Sequence, residues 1–214
     1  MGNHEVGETD EDLRLLRLAA DGDQEALGRL FSAHGDRLKR MIALRLSRRL
    51  SGRIDESDVL QEAFIEIVRK LGDYAREPKL PPFLWMRHLT ALKLIEVHRR
   101  HLGSQIRDAD REVTLHRGCV PMADSASLAA QLLGSASAPS QAAIKAETRL
   151  LVQEALNGMD PIDREVLALK HFEQLSLAEV AQVLGLTRAG AGSRYLRAAR
   201  RLRAILRSIP GFEF

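Results

Sequence analysis

Apolar residues recur at three- and four-residue intervals along most of the chain, and alternating apolar and polar runs are almost absent, so the pattern predicts an all-α protein. A polar N-terminal stretch, residues 1–10, reads as disordered. A first helix then runs from about Asp10 to Ala20, turning Leu13, Leu15 and Leu16 inward and stopping at Gly22. Asp23 caps a second, longer helix with Ala26, Leu27, Leu30, Phe31, His34, Leu38, Met41 and Ile42 on its inner face, broken at Ser51-Gly52. Asp55 caps a third, with Val59, Leu60, Ala63, Phe64, Ile67, Val68 and Leu71 inward, ending near Gly72. Pro78, Pro81 and Pro82 exclude a helix from the next stretch, which is read as a loop that also carries Tyr74. A fourth helix covers about Phe83 to His101, with Leu84, Met86, Leu89, Leu92, Ile95 and Val97 available for a core.

From Gly103 to Ser140 the periodicity lapses into Gly, Ser, Ala, Asp and Pro, with a transient turn of helix at most over Ser127–Leu133. The pattern therefore divides the chain into a first helical domain over residues 11–102, a linker over 103–140 and a second helical domain over 141–210. In the second, Gln141 to Leu156 is amphipathic, and Asp160-Pro161 opens a helix with proline in its first turn. Ser176 with Glu179 forms a capping box, Leu177, Val180, Ala181, Val183 and Leu184 face inward, and Gly185 ends that short helix before a restart at Thr187. A small residue at Ala181 and a glycine turn are what two closely approaching helices in a helix-turn-helix require.

Charge sharpens this picture. The last helix carries Arg188, Arg194, Arg197, Arg200, Arg201, Arg203 and Arg207, and no carboxylate occurs between Glu179 and Glu213. The arginines are read as unpaired by nearby acids, an electrostatic footprint for a polyanion, while Tyr195, Ala198, Leu202, Ile205 and Ile209 supply a separate packing stripe. Over all 214 residues the net charge is only +3, so the positive charge is local. The single cysteine, Cys119, excludes an intramolecular disulfide and makes no zinc site alone. No apolar run approaches membrane-spanning length, which reads as a cytoplasmic protein with no membrane partner. His34, His88 and His171 are scattered, and no metal cluster, phosphate-cradling loop or activated nucleophile is present, so neither an enzyme nor a cofactor is expected.

The third helix opens Asp55-Glu56-Ser57-Asp58-Val59-Leu60-Gln61-Glu62-Ala63-Phe64. Capping and the helix dipole account for its first acids; Asp58, Gln61 and Glu62 remain as a polar ridge facing solvent or a partner. Asp58 to Phe64 resembles the Asp-Leu-Val-Gln-Glu-Thr-Phe signature of conserved region two in the sigma-70 superfamily of RNA polymerase sigma factors, in its compact extracytoplasmic-function (ECF) group. Ala20 to Leu27 resembles the opening of that region. Trp85, Ile95, Glu96, Arg99 and Arg100 fall where its promoter-reading helix carries tryptophan, aliphatic, acidic and basic residues. Leu175 to Leu186 resembles the start of region four, and Ser193-Arg194 with Arg197-Ala198 its Ser-Arg and Arg-Ala pairs.

The resemblance implies a sigma factor that binds core RNA polymerase and directs promoter recognition and melting. Asp58, Gln61 and Glu62 would dock on the beta-prime clamp. Tyr74 and Trp85 would serve the loop that captures an extruded minus-ten base, with Tyr74 the exposed aromatic and Phe83 and Trp85 packed. Lys93, His98, Arg99 and Arg100 would contact promoter backbone at the melted boundary. Arg188, Ser193, Arg194, Arg197 and Arg201 would address the minus-35 element, and the remaining C-terminal arginines either the beta flap or DNA. An anti-sigma factor is a further partner the family allows. The chain departs from the family in having Ala91-Leu92 for Arg-Asn and Gly190-Ala191-Gly192 for Thr-Val-Lys, each glycine costing a helix about 1 kcal/mol relative to alanine. On sequence alone, a helix-turn-helix regulator independent of the polymerase and a sigma-like protein adaptor stay open.

Overall fold

The computed structural model describes residues 3–50, 52–102, 121–134 and 142–207. Every regular element among them is helical. The chain divides into two compact units, Met1–Ile42 with Leu46–Val120, and Ala43–Arg45 with Pro121–Phe214.

The first unit is built on α1 (Asn3–Ala20), α2 (Gln24–Arg45), α3 (Glu56–Arg76) and α4 (Pro82–Leu102). Helix α1 starts at Asn3, seven residues before the expected Asp10. Nothing from Asn3 to Thr9 is a proline, so the polar composition read as disorder does not exclude a helix. Gly22, at φ +100°, turns the chain into α2, whose N-cap Asp23 accepts from the N–H groups of Glu25 (2.9 Å) and Ala26 (3.0 Å). Asp12 and His34, both buried, meet at 2.8 Å and tie α1 to α2. Phe31 stacks on Phe64 with centroids 3.9 Å apart, tying α2 to α3. Leu16, Leu30, Leu38, Met41, Ile67 and Met86 lose all or nearly all solvent contact. Each such side chain contributes about 1.5–3 kcal/mol of burial free energy, which the ordering of the chain opposes.

Two expectations about α3 fail here. The helix continues past Gly72 to Arg76, so Tyr74 belongs to its last turn and not to the proline loop. Val68 is exposed, because the buried stripe Val59, Ala63, Ile67, Leu71 and Tyr74 advances in steps of four and three and leaves residue 68 outside it. Leu92 of α4 is exposed for the same reason, while Ala91 and Leu94 on either side are buried.

The second unit contains α5 (Ser125–Leu132), α6 (Ala142–Asn157), α7 (Pro161–Leu167, continuing as a π-type turn over Ala168–Phe172), α8 (Leu177–Leu184) and α9 (Arg188–Arg207). Helix α5 lies inside the stretch expected to be linker. Asp124 caps it through the Ser127 N–H at 2.9 Å, and Ala126, Leu128 and Ala129 are buried, with Leu128 and Ala129 in one cluster with Val152 and Leu156 of α6. Its alanines and serines look like linker composition but permit close helix packing, so the packed part of this unit begins near Pro121. The remaining linker residues, Cys119, Gln141 and Ile209 lie outside the described residues.

The helix-turn-helix forms as its sequence requires. Ser176 N–H donates to Glu179 (2.8 Å), Glu179 N–H donates to Ser176 Oγ (3.2 Å), and Gly185 ends α8 at φ +64°, a left-handed conformation that costs glycine nothing. Thr187 Oγ1 accepts from the Gly190 N–H at 3.0 Å and caps α9. Ala191, fully buried between the two weak-propensity glycines, anchors that first turn, so Gly190 and Gly192 are accommodated within a continuous helix.

Candidate polymerase and nucleic-acid interface

In the first unit, Asp58 and Gln61 are exposed on α3 and Glu62 is partly so. Asp58 also accepts from the Asp55 N–H at 3.1 Å in a reciprocal capping box, so it fixes the helix start as well as facing outward. The outward line continues past the expected ridge to Ile65, 64% exposed, and Val68, 44% exposed. Steps of three, four and three residues from Asp58 place all four on one face; that spacing was present in the sequence.

Glu62 is not directed only at solvent. It accepts from Arg100 of α4 at 3.3 and 3.5 Å and lies 3.8 Å from Lys93 Nζ, while Glu96 takes Lys93 at 2.7 Å and Arg100 at 2.7 Å. One network thus joins an expected polymerase contact to two expected promoter contacts. Lys93 and then Arg100 hold the Glu96 carboxyl below its ordinary range, and Glu96 and then Glu62 raise the already high pKa of the Arg100 guanidinium.

Two other expected promoter contacts are placed otherwise than the sequence suggested. Tyr74, expected to be exposed, is buried: its ring stacks on Trp85 (centroids 4.1 Å), its hydroxyl donates to Leu80 O at 2.7 Å, and burial, then the Asp12 charge, push its pKa up to about 12. Its stack carries Trp85, half-buried, at the start of α4. His98 is buried, its Nε2 accepting the Ser47 N–H at 3.2 Å, so the ring is turned into the unit. Arg99 is exposed. Phe83 is buried, as its packing role required, with Arg37 stacked over its ring at 3.6 Å.

In the second unit, Arg188 and Ser193 are exposed on α9. The reading of arginines unpaired by acids does not hold for Arg194 and Arg197, and Arg201 is engaged by a backbone carbonyl. Arg197 forks onto Asp163 (Nε 2.8 Å, Nη2 3.1 Å), and Arg194 reaches Asp163 at 2.6 Å and Asp160 at 3.4 Å. Arg201 donates to Gly158 O at 2.6 Å. The acids come from the start of α7, more than thirty residues upstream, where a local charge count does not look. Arg200, Arg203 and Arg207 are exposed, as is Leu196 (55%), an apolar residue on the outward side of α9 that periodicity alone had not singled out. Among the described residues no cluster of His, Cys, Asp and Glu could hold a metal ion, and no helix is long and apolar enough to cross a membrane.

A capped helix-turn-helix with an arginine-rich second helix, in a chain whose other unit carries a polar-apolar ridge on a rigid helix, defines an all-helical DNA-associated protein of two modules. Residues 149–202 match the family model described as Sigma-70, region 4. The chain is 27% identical over 201 residues to the RNA polymerase sigma factor NccH of Alcaligenes xylosoxydans xylosoxydans, covering 92% of this chain and 95% of that one. It is 28% identical over 200 residues, with the same coverages, to the sigma factor CnrH of Cupriavidus metallidurans. To the ECF sigma factor SigW of Bacillus subtilis it is 23% identical over 195 residues, 91% of this chain and 96% of that one. In fold it is similar to CnrH solved in complex with the cytosolic domain of CnrY, with a TM-score of 0.55, 24% identity, and coverage of 93% of this chain and 99% of that one. Across both units the chain is similar to sigma factors, the ECF group among them, and that similarity supports a sigma-factor role in directing transcription. Because the relationship spans both units, it displaces the free-standing regulator and the protein adaptor that the sequence had left open.

Proposed function

We propose that the first unit docks on the clamp of core RNA polymerase through the α3 ridge and engages the melted minus-ten element through α4, while α9 addresses the minus-35 element. The observation that carries this reading is the α3 face itself. Asp58, Gln61, Ile65 and Val68 stand in line on a helix whose opposite face is buried, and exposed apolar side chains flanked by polar ones suit a reversible protein interface. Charge in that ridge serves orientation and association rate more than affinity. Arg99, Lys93 and Arg100 supply the phosphate-neutralising charge for the promoter boundary; Arg188, Arg194, Arg197 and Arg201 supply that for the upstream element, with the Ser193 hydroxyl as a neutral hydrogen-bonding contact. Tyr74 acts from inside, supporting Trp85, which is the aromatic left to receive an extruded base.

The work is non-enzymatic on this chain's part, the polymerase supplying the chemistry, and it places the protein in the cytoplasm with the beta flap as a second polymerase contact. An anti-sigma domain is the inhibitor this reading favours; CnrH, which the chain resembles in fold, was itself solved in complex with another protein, the cytosolic domain of CnrY. The test is transcription from a genomic library by core polymerase with the purified chain. Gln61→Ala combined with Ile65→Asp is expected to abolish start-site selection and lower core affinity about tenfold or more, with helix content unchanged. Full activity of that variant would overturn the docking surface.

A further inference from the structure

We infer that Asp163 is a positioning residue for promoter discrimination: its single carboxylate holds the guanidinium groups of Arg194 and Arg197 in fixed orientation, so that α9 presents aimed donors in place of mobile charge. The inference rests on α9 being the promoter-reading helix. Asp163 lies in the first turn of α7, its side chain only 9% exposed, and Asp160 caps the same turn by accepting from the Ile162 and Asp163 N–H groups at 2.8 and 3.3 Å. Hydrogen bonds from Arg197, and after opposing burial those from Arg194, hold the Asp163 carboxyl below its usual range, so it stays ionised at neutral pH.

The Arg197 fork uses Nε and one hydrogen of Nη2. The Nη1 edge is not consumed by Asp163, and the Arg197 side chain remains 60% exposed. A carboxylate that takes one edge of a guanidinium and leaves the other exposed sets the plane in which the second edge can donate. Two consequences act in the same direction. Without the carboxylate, the arginines gain rotamer freedom that must be lost again on a specific site, which weakens specific binding. They also gain uncompensated positive charge, which strengthens binding to any phosphate backbone.

The test uses holoenzyme reconstituted from core polymerase and the full chain, a promoter recovered from a genomic library, and the same duplex with its upstream element scrambled. Asp163→Asn is expected to lower the cognate-to-scrambled affinity ratio about tenfold, the scale of one bidentate readout contact. It should also steepen the log affinity against log salt slope by about 1, as one more phosphate is neutralised. Arg197→Lys keeps the charge but cannot form the fork, so its ratio should fall with the slope unchanged. A folded Asp163→Asn protein with unaltered ratio and slope would make Asp163 a structural bridge only and overturn the inference, as would an unaltered ratio in Arg197→Lys. A wild-type ratio of one would instead remove the promoter-reading role of α9 itself.

Discussion

The two units solve the same electrostatic problem with different degrees of shielding. In the first, Glu62, Lys93, Glu96 and Arg100 form a network between α3 and α4 in which three of the four side chains are at least 39% exposed. In the second, Arg194 and Arg197 converge on Asp163, which is 9% exposed. Residue types and distances are nearly matched, yet the consequences differ. Water competes for the first network, so its pairs set orientation without contributing much stability, whereas the carboxylate in the second has little access to water and depends on its arginines. Pairing within a nominated DNA-binding surface is therefore informative only when its shielding is known.

Asp163→Ala sharpens that contrast most, with an expected loss of about 1.5–3 kcal/mol from the second unit, read by chemical denaturation. Removing the Ser176 cap by Ser176→Ala should cost the same unit about 1 kcal/mol, seen as a lower unfolding midpoint. The acid limb separates the networks again. The Asp163 pKa is depressed in the fold, so its stabilisation is present above the ordinary carboxylate range and is lost as pH falls through the folded value. The stability difference between wild type and Asp163→Asn should accordingly shrink on acidification. Glu96→Ala, at the exposed network, should leave the denaturation midpoint unchanged; a midpoint shift as large as that of Asp163→Ala would break the comparison.

What the sequence made legible was local. The Ser176–Glu179 box, the Gly185 stop, the Asp23 and Asp55 caps and the main buried stripes depend on neighbours within one or two turns, which spacing reveals. The pairing of Arg197 with Asp163, of Arg100 with Glu62 and of His98 with the Ser47 N–H joins residues thirty or more positions apart, and charge counts along the chain do not detect it. Helix α5 was hidden by composition, since alanine and serine serve a loose tether and a tight helix contact equally. Tyr74 was misplaced because proline density was extended backwards: the prolines begin at residue 78, two positions after α3 ends.

The central claim is a division of labour, and the footprint of the reconstituted holoenzyme on its promoter tests it directly. With Arg194→Ala and Arg197→Ala together, the chain is expected to bind core polymerase as tightly as before while protection of the upstream element is lost and that around the start site persists. Loss of core binding in that variant, or an upstream footprint left intact, would contradict the account.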